Sequence, residues 1–529
     1  MTPTAEQKKA IDYPGSMVII AKPGSGKTFV IAEKIRSILP VLPDYRGVIA
    51  ISYTNKASAE LKRRISRNGC PTKSCCLSTI DSFCLSEIIY PFLPHLWGNH
   101  PVCYEVKKRD DSLEYGCDIK ISGQTASEND ILCNEISLRK AFAEKGFIFV
   151  DFIGSLALYV LKRSHACRTY IKARYSHIFV DEYQDADQNQ HDIFLFLHDL
   201  GLVAVAVGDA SQSIFGFAGK KADFLLNLPN HPGFPLFLVS YNHRCHPSIC
   251  NYANTLISSN ASLLECEQIQ VYEKCCHGDE ASICSWIDQN LPAIMEHFQC
   301  ENLDKVGILT PNNLISRRMG SMLTTPNNVF CTHPLEDRQS LTANLLSQIL
   351  RLYFDRTVTC EDFIDSFYGD CVKNLRLKSR GLLRDFRKST PDNFIFETIR
   401  LTRSIANFTL LESDFEILKK DSFENLKLFF SPPSPNHINI MTSHKSKGLE
   451  FDIVFITHLY AWIVPFKASC IGDITDQDIN LHYVSITRGR KACYLCHSTS
   501  RHKKNGCIIN ATPSPFLTIP NLRQLRKVL

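Results

Sequence analysis

A short loop with two glycines, placed between an apolar run and a helical stretch, constrains the fold of this chain more than any other feature. The run Val18-Ile-Ile-Ala21 predicts a buried strand, and Phe29–Leu39 predicts a helix. The loop between them reads Lys22-Pro-Gly-Ser-Gly-Lys-Thr28. A strand that passes directly into a helix is typical of βαβ units, so this order indicates an α/β fold with a parallel sheet.

The residue types of this loop are suited to binding the phosphates of a nucleotide. Gly24 and Gly26 let backbone N–H groups turn towards β- and γ-phosphates, while Lys27 adds a fixed positive charge. The Thr28 hydroxyl can ligate Mg²⁺. A glycine-rich connector without a ligand does not explain a lysine followed by a threonine. The predicted nucleotide-binding residues of the segment are Ala21, Lys22, Pro23, Gly24, Ser25, Gly26, Lys27 and Thr28.

Two adjacent carboxylates follow a second apolar run. Ser176-His-Ile-Phe-Val180 predicts a strand, and Asp181 and Glu182 come directly after it. In a parallel sheet, the carboxyl ends of the strands share the edge at which ligands bind. Asp181 can hold Mg²⁺ through water, and Glu182 can orient or deprotonate the water that attacks a phosphate. A solvated acidic loop is the alternative, and the upstream phosphate loop argues against it.

The 22 cysteines do not indicate a secreted protein. Met1–Lys9 carries no signal-peptide pattern, and no run approaches the ~18 apolar residues of a membrane span. We therefore expect a cytoplasmic protein with reduced thiols and no membrane contact. A metal site is the alternative, formed by Cys493, Cys496, His497, His502 and Cys507. Against it, Cys493 and Cys496 lie in one alternating apolar run, where a strand points them to opposite faces.

The apolar runs predict two α/β units, each interrupted by an insertion. The first unit has predicted strands at Val18–Ala21, Gly47–Ser52, Ile178–Val180 and Val203–Val207, and the second at Leu236–Ser240, Val306–Leu309, Ile438–Met441, Ile453–Ile456 and Ala492–Cys496. A chain of 529 residues has room for several domains, and its net charge of +5 permits an anionic partner without requiring one. The sequence becomes more polar after residue 90. From residue 335 it is rich in helix-forming residues and lacks the alternation of apolar and polar residues that is typical of strands. The predicted bounds are residues 1–89 and 151–232 for the first unit, 90–150 for its insertion, 233–334 and 431–529 for the second unit, and 335–430 for its insertion.

Motifs along nearly the whole chain resemble those of the UvrD/Rep/PcrA-like DNA helicases of superfamily 1, in the expected order. The most diagnostic is Val207-Gly-Asp-Ala-Ser-Gln-Ser-Ile-Phe-Gly-Phe217. Besides the phosphate loop, the other stretches are Thr4–Ile11, Ile51–Leu61, Ser78–Phe83, Ile178–Gln188, Tyr241–Pro247, Met441–Phe451 and Tyr483–Arg490. The resemblance implies two RecA-like parallel-sheet motor domains, each with a mainly helical insertion. It also implies ATP and Mg²⁺ as cofactors.

The same resemblance implies roles for single residues. Gln7 would read adenine, Gln212 would sense the γ-phosphate and Glu450 would lie near the ribose. Arg244 would reach the γ-phosphate from the second unit, and Arg488 would be an arginine finger. The implied catalytic residues are Lys27, Asp181, Glu182, Gln212, Arg244 and Arg488, with Thr28 and Asp181 as metal ligands. The implied DNA contacts are Tyr53, Thr54, Asn55, Thr79, Phe215, Phe217, Thr442 and His444.

These features predict an ATPase that moves along single-stranded or partly duplex DNA, 3′ to 5′ by resemblance. Because the chain ends soon after the last motif, we expect any DNA cutting to come from a separate nuclease subunit, as in antiphage systems such as Gabija. DNA repair is the other expected setting. Two alternatives stay open: an ATP-gated sensor of DNA ends that regulates a nuclease with little processive unwinding, and an RNA-directed helicase.

Overall fold

The computed structural model divides the chain into two compact units, residues 1–245 and residues 246–529. The structure describes residues 2–52, 55–66, 72, 74–101, 104–107, 119–123, 125–214, 222–331, 333–338, 340–368, 373–406, 410–432, 434–503 and 506–529. Each unit is built around a main sheet whose strands are parallel and which is packed with helices. The predicted α/β fold class is confirmed.

The first unit contains a parallel sheet that is buried on both faces. The strands of the first unit are β1 (Met17–Ala21), β2 (Gly47–Ile51), β3 (Cys76–Ser78), β4 (Glu105–Lys107), β5 (Phe147–Phe149), β6 (Tyr175–Val180), β7 (Val203–Gly208) and β8 (Leu236–Val239). The main sheet has the order β3-β2-β6-β7-β1-β8. On β1, Val18 packs into one core and Ile19 into the other. Burial on both sides explains why these strands are continuously apolar.

Helices cover both faces of this sheet. The helices of the first unit are α1 (Ala5–Asp12), α2 (Lys27–Ile38), α3 (Asn55–Ile65), α4 (Ile80–Phe83), α5 (Tyr90–Trp97), α6 (Glu128–Cys133), α7 (Glu135–Lys145), α8 (Ile153–Arg163), α9 (His165–Arg174), α10 (Gln188–Asp199) and α11 (Asp223–Asn227). Side chains of α2 and α3 lie in the core on one face, and those of α8 and α10 lie in the core on the other. The sheet therefore holds the start of α2 at its carboxyl edge, where the phosphate loop lies.

The first insertion shares its core with the rest of the first unit. Within residues 90–150, α5, α6 and α7 accompany the short parallel pair β4–β5. Trp97, Ile131 and Phe142 belong to the same apolar cluster as the inner faces of α8 and α10. The segment is mainly helical, as expected, but it is continuous in packing with the sheet rather than a separately cored subdomain.

The second unit contains another main sheet with parallel strands, and a small antiparallel hairpin. Its strands are β9 (Val271–Cys276), β10 (Val306–Thr310), β11 (Asn327–Val329), β12 (Ile438–Thr442), β13 (Phe451–Ile456), β14 (Gly489–Ser498), β15 (Ser500–His502), β16 (Ile508–Asn510) and β17 (Lys527–Val528). The main sheet has the order β11-β12-β10-β13-β14-β9-β17, and β15 pairs with β16. The predicted strands at 306–309, 438–441, 453–456 and 492–496 are thus confirmed.

A helical insertion with its own core lies between β11 and β12. The helices of the second unit are α12 (Pro247–Ile257), α13 (Glu280–His297), α14 (Asn313–Met322), α15 (Pro334–Asp337), α16 (Leu341–Phe354), α17 (Cys360–Tyr368), α18 (Lys373–Phe386), α19 (Phe394–Ile405), α20 (Glu412–Lys419), α21 (Phe423–Phe430), α22 (Asp476–Ile486) and α23 (Pro520–Arg523). Helices α15 to α21 form one cluster of buried side chains that runs from Leu335 to Phe430.

The predicted boundary between the two units is wrong by about a dozen positions. We expected the second unit to begin at residue 233, with the run Leu236–Ser240 as its first strand. That run forms β8, which pairs in parallel with β1 at the edge of the first sheet. An apolar run predicts a strand but does not indicate which sheet the strand joins. Here β8, the strand that follows β7 in the sequence, forms an edge of the first sheet.

The alternative metal site is not formed among the described residues. Cys493, Cys496 and His497 lie in β14, between β13 and β9, so the two cysteines point to opposite faces of the sheet. His502 instead approaches Asp279 and Glu280.

Among the described helices, none combines the length and the apolar character that crossing a bilayer requires.

The aromatic core of the second insertion gives a test of its packing. Phe394 is fully buried and packs at a tilt of 53° against Tyr353, with ring centroids 4.4 Å apart, whereas Phe396 on the same helix is 67% exposed. We expect Phe394→Ala to lower the free energy of unfolding by about 3–5 kcal/mol, because it removes a buried ring and leaves a cavity. Phe396→Ala is the matched control and should change it by about 0.5 kcal/mol or less. Denaturant unfolding measures both, and equal losses would contradict the assigned core.

Candidate functional site

The phosphate loop joins the end of β1 to the first residue of α2. Its glycines have left-handed backbone angles, with φ of 70° at Gly24 and 84° at Gly26. The Ser25 hydroxyl donates to the Lys22 carbonyl over 2.7 Å, and the Lys22 N–H donates to Val239 of β8 over 3.1 Å. Helix α2 therefore directs its N-terminal N–H groups and its positive dipole end at the loop, which favours an anionic ligand.

Both glycines are also needed because neighbouring groups approach the loop closely. A Cβ at Gly24 would lie 2.5 Å from the Asn242 amide oxygen and 2.5 Å from Arg244 Cβ. A Cβ at Gly26 would lie 2.8 Å from Gln7 Nε2. The loop thus has a fixed conformation held between α1 and the segment after β8.

Gln7, the predicted adenine contact, is built into the start of α1. Thr4 and Gln7 form a capping box, and Gln7 Nε2 donates to the Ser25 carbonyl over 2.8 Å. Only 2% of Gln7 is exposed. Its side chain therefore ties the helix to the phosphate loop.

A residue that sequence reasoning missed, Lys34, holds α1 against α2. Its ammonium donates to the carbonyls of Ala10, Ile11 and Tyr13 at the end of α1, with distances of 3.3 Å to Ala10 and 3.1 Å to Ile11. Burial lowers the pKa of Lys34 to about 8. A lysine on a helix next to a charged residue ordinarily predicts a solvated side chain, so the sequence carried no signal for this role.

The acidic pair lies at the carboxyl end of β6, opposite the phosphate loop. The Thr28 hydroxyl donates to Asp181 Oδ2 over 3.5 Å, and Lys27 Nζ lies 3.4 Å from Glu182 Oε2. Glu182 adopts a left-handed conformation with φ of 55°, which turns the chain sharply after the strand. Residues that are more than 150 positions apart in sequence thus meet at one sheet edge.

Negative charge is concentrated around Lys27. Burial and the adjacent Glu182 together raise the pKa of Asp181 to about 7, while Lys27 opposes the rise. Burial also raises the pKa of Asp209, which directly follows β7. For Lys27, burial lowers the pKa but Glu182, Asp209 and Asp181 outweigh it, so the net direction is upward. Three carboxylates around one lysine, of which Asp209 is buried and the other two are partly buried, favour the binding of a further cation.

The predicted phosphate sensor, Gln212, joins the same site through Asp209. Gln212 is 4% exposed and its Nε2 donates to Asp209 Oδ2 over 2.9 Å. The Asp209 N–H donates to Gln184 Oε1 over 3.0 Å, and Gln184 Nε2 donates to Glu182 Oε2 over 2.5 Å. Gln184 lies within Ile178–Gln188, one of the stretches that carry the resemblance, but the resemblance implied no contact for it.

Arg244 belongs to the first unit, which corrects its predicted placement in the second. Asn242 Oδ1 accepts from the N–H groups of Arg244 and Cys245 over 2.7 and 2.9 Å, and the His243 N–H donates to the Gly24 carbonyl over 2.9 Å. This turn holds Arg244 against the phosphate loop. Its position follows from β8, which brings the segment after it to the sheet edge.

Four predicted residues lie in the second unit. Arg488 is 1% exposed, and its guanidinium donates to the carbonyls of Val484 over 2.9 Å and Leu449 over 3.0 Å. Thr442 ends β12 and accepts from the Lys445 N–H over 3.3 Å. The remaining two are Glu450, which is exposed, and His444, whose pKa burial lowers.

Most of the predicted DNA contacts of the first unit fall outside the described residues. These are Tyr53, Thr54, Phe215 and Phe217, and the side chain of Asn55 is likewise not described. Thr79 is described: it caps α4 by accepting from the Ser82 N–H over 3.3 Å. It also lines a cavity of about 340 Å³ that extends to Asp181 and Glu182. The cavity joins the predicted DNA side of the sheet edge to the acidic pair.

Two family models match this chain. The model of the UvrD/REP helicase N-terminal domain matches residues 3–95 and 126–232, and that of the UvrD-like helicase C-terminal domain matches residues 388–500. The two models together span more than half of the chain. The chain belongs to the UvrD/Rep helicase family. Its two α/β units are the RecA-like domains of that family. Membership implies the use of ATP. Helicases of this family bind DNA.

Individual relatives match over most of their length. The chain is 26% identical over 508 residues to the Gabija protein GajB of Bacillus cereus (strain VD045), covering 92% of this chain and 93% of that protein. It is 23% identical over 632 residues to the ATP-dependent DNA helicase Rep of Buchnera aphidicola subsp. Schizaphis graminum, covering 97% and 95%. Against the ATP-dependent DNA helicase PcrA of Staphylococcus aureus (strain Mu50), identity is 23% over 622 residues, covering 94% and 83%.

The crowded phosphate loop generates a test of the nucleotide site. We expect Gly26→Ala to weaken ATP binding at least tenfold, or about 1.4 kcal/mol, because the added Cβ meets Gln7 and strains the backbone. The matched control is Gly201→Ala, which adds a Cβ at φ of 103° with no atom within 4 Å. Fluorescent-nucleotide titration measures both variants. Unchanged ATP affinity in Gly26→Ala would contradict the assigned loop.

Proposed function

We propose that this protein is an ATP-driven motor that moves 3′ to 5′ along single-stranded DNA and unwinds partly duplex DNA. The observation that carries the proposal is the meeting of Lys27 and Thr28 with Glu182 and Asp181 at one edge of a parallel sheet. Phosphoryl transfer to water needs this combination of a phosphate cradle, a cation site and a base. Family membership supports DNA as the track.

The residues around the site fit Mg²⁺. Thr28 and Asp181 offer a hydroxyl and a carboxylate oxygen 3.5 Å apart, which are the hard oxygen ligands that this ion prefers. Both would hold the ion, which when bound would neutralise charge on the phosphates of ATP. The surplus of carboxylates around Lys27 agrees with a site completed by a cation.

The protein's own groups then have separate tasks. Lys27 would exchange its contact with Glu182 for the phosphates, and Glu182 would accept the proton of the attacking water. Gln7 would hold adenine beside the loop, and Gln212 would respond to the γ-phosphate. Arg244 is held against the loop, where its positive charge suits the same phosphates.

Arg488 is proposed as the arginine finger, with Glu450 near the ribose. In this role its guanidinium would give up the Leu449 and Val484 carbonyls for the transferred phosphoryl group. Such an exchange would make hydrolysis depend on a rearrangement of the second unit. That dependence is the physical basis for coupling turnover to movement.

The single strand is proposed to run past Thr79 and the predicted aromatic contacts Tyr53, Phe215 and Phe217. Thr54, Asn55, Thr442 and His444 complete the proposed DNA contacts. Base stacking on aromatic rings is worth about 1–3 kcal/mol per base and tolerates any sequence, which suits a motor. The proposed 3′ to 5′ direction rests on the family alone.

A separate nuclease is the proposed partner. The similarity to a Gabija protein over 92% of this chain supports a role in defence against phages, with the motor acting beside a nuclease subunit. DNA repair is the second setting that family membership supports.

The assignment of Lys27 is tested by Lys27→Ala. We expect ATP turnover to fall at least a hundredfold, or about 2.7 kcal/mol, because the phosphates lose a buried charge partner. Affinity for a dT oligomer should stay within about threefold, since Lys27 faces Glu182 and not the proposed DNA path. Strong turnover by the variant would overturn the site.

Arg488→Ala tests the proposed finger. We expect kcat to fall by about 10³-fold while the KM for ATP changes little, because a finger acts mainly in the transition state. Arg490→Ala is the control, since the side chain of Arg490 is 50% exposed and lies 3.8 Å from Asp452. A raised KM with unchanged kcat would make Arg488 a ground-state ligand instead.

The proposal of a separate nuclease is tested with the isolated protein. Supplied with ATP, Mg²⁺ and plasmid or forked DNA, the chain should hydrolyse ATP but leave every phosphodiester bond intact on a denaturing gel. DNA cleavage that persists in purified wild-type protein and disappears in Lys27→Ala would show that the chain cuts DNA itself.

A further inference from the structure

Gln184 is the central link in a series of hydrogen bonds that the proposed catalytic roles do not use. It is fully buried on the short turn Tyr183–Asp185, directly after the acidic pair. Its Nε2 donates to Glu182 Oε2 over 2.5 Å, and its Oε1 accepts from the Asp209 N–H over 3.0 Å. One amide therefore connects the proposed base at the end of β6 with the main chain at the end of β7.

The packing around this amide leaves it little room to move. A Cβ at Gly208 would overlap Gln184 Oε1 and would lie 2.8 Å from Leu225 Cδ2. The turn that carries the amide is closed by the Asp185 N–H, which donates to the Glu182 carbonyl over 2.9 Å. Only one orientation of the amide satisfies both contacts, because the reverse would set its NH₂ group against the Asp209 N–H.

The series continues to the predicted phosphate sensor. Asp209 Oδ2 accepts from Gln212 Nε2 over 2.9 Å, and the Ser213 hydroxyl donates to the Gln184 carbonyl over 3.4 Å. Gln212 is three positions before Phe215, one of the aromatic residues among the proposed DNA contacts. The links run from Glu182 through Gln184 and Asp209 to Gln212, so a series of hydrogen bonds joins the proposed base to the segment that precedes Phe215 in the sequence.

Glu182 Oε2 has a second donor, Lys27 Nζ, at 3.4 Å. In the proposed reaction Lys27 turns to the phosphates, and Gln184 then becomes the donor that fixes the Glu182 carboxylate. A shift of the main chain at Asp209 would move the amide and with it the carboxylate. The position of the base would thus follow the position of the segment 209–214.

We propose that Gln184 is a positioning residue that makes ATP hydrolysis depend on bound DNA, by transmitting the arrangement of segment 209–214 to Glu182. This inference rests on the proposed function and adds the route by which DNA regulates that site. Among the described residues, the Gln184 amide bonds to Glu182 and to the Asp209 N–H and not to the phosphate loop, so we expect it to act on turnover and not on nucleotide affinity.

Two variants break the series at different points. Gln184→Met keeps a similar volume and removes both polar groups, whereas Gln184→Glu keeps an acceptor for the Asp209 N–H and replaces the donor to Glu182 by a carboxylate. Gln188→Met is the matched control, because Gln188 is exposed on α10 and its side chain, among the described residues, donates to Asp192 of the same helix over 2.8 Å. Thermal unfolding and affinity for a dT oligomer establish that each variant is folded and binds DNA.

The readout is the ratio of ATP turnover with a saturating dT oligomer to turnover without it, together with the KM for ATP. We expect both Gln184 variants to lower this ratio at least tenfold while the KM stays within about threefold, and Gln188→Met to keep the wild-type ratio. A purely structural role would lower both turnover numbers together, and an unchanged ratio in folded variants would overturn the inference. Wild-type protein without DNA stimulation would instead contradict the proposed function.

Discussion

The carboxyl edge of the first parallel sheet is the constraint on which the rest of the site depends. β1, β6 and β7 run in the same direction, so the residues that follow them reach the same place. Lys27 and Thr28 follow β1, Asp181 and Glu182 follow β6, and Asp209 follows β7. Neither the phosphate loop nor the acidic pair is a reactive site alone. Their 3.4 and 3.5 Å contacts exist because the sheet is parallel and buried on both faces.

The charges at this edge also explain why the site is suited to respond to ligands. Three carboxylates and one lysine form a cluster in which each group shifts the pKa of its neighbours. Binding of ATP would replace contacts within the cluster by contacts to phosphates. Groups bonded to the cluster, such as Gln184, would then sense the change. The same side chains would thus have one set of contacts without ATP and another set with ATP bound. Such a site can couple hydrolysis to movement, because each set of contacts belongs to a different conformation of the protein.

Much of this architecture was predictable from the sequence. Apolar β-branched runs predicted β1, β2, β6, β7 and the central strands of the second sheet, because burial on both faces leaves a continuous apolar signal. Short edge strands such as β3, β11 and β17 gave no such signal, since two or three residues carry no pattern. The membership of β8 was mispredicted, because strand pairing is a tertiary property. Arg244 was misplaced with it.

Within the site, the residue types in the sequence predicted the groups that bind phosphate and transfer protons. The residues that hold those groups in place were found only from tertiary contacts. Lys27 and Glu182 were predictable because phosphate binding and proton transfer restrict the residues that can serve. Lys34 and Gln184 were not, because a lysine in a helix and an amide in a turn are usually exposed. Their roles depend on the approach of α1 to α2 and on the left-handed turn at Glu182, which only the folded chain shows.

The most direct test of the central claim is ATP turnover by the purified wild-type chain with and without a dT oligomer, measured in parallel with a fluorescence assay for movement towards either end of the strand. The account predicts strong stimulation by DNA and movement towards the 5′ end. Turnover that DNA does not change would contradict it, and stimulation without movement would replace the motor by an ATP-gated sensor of DNA.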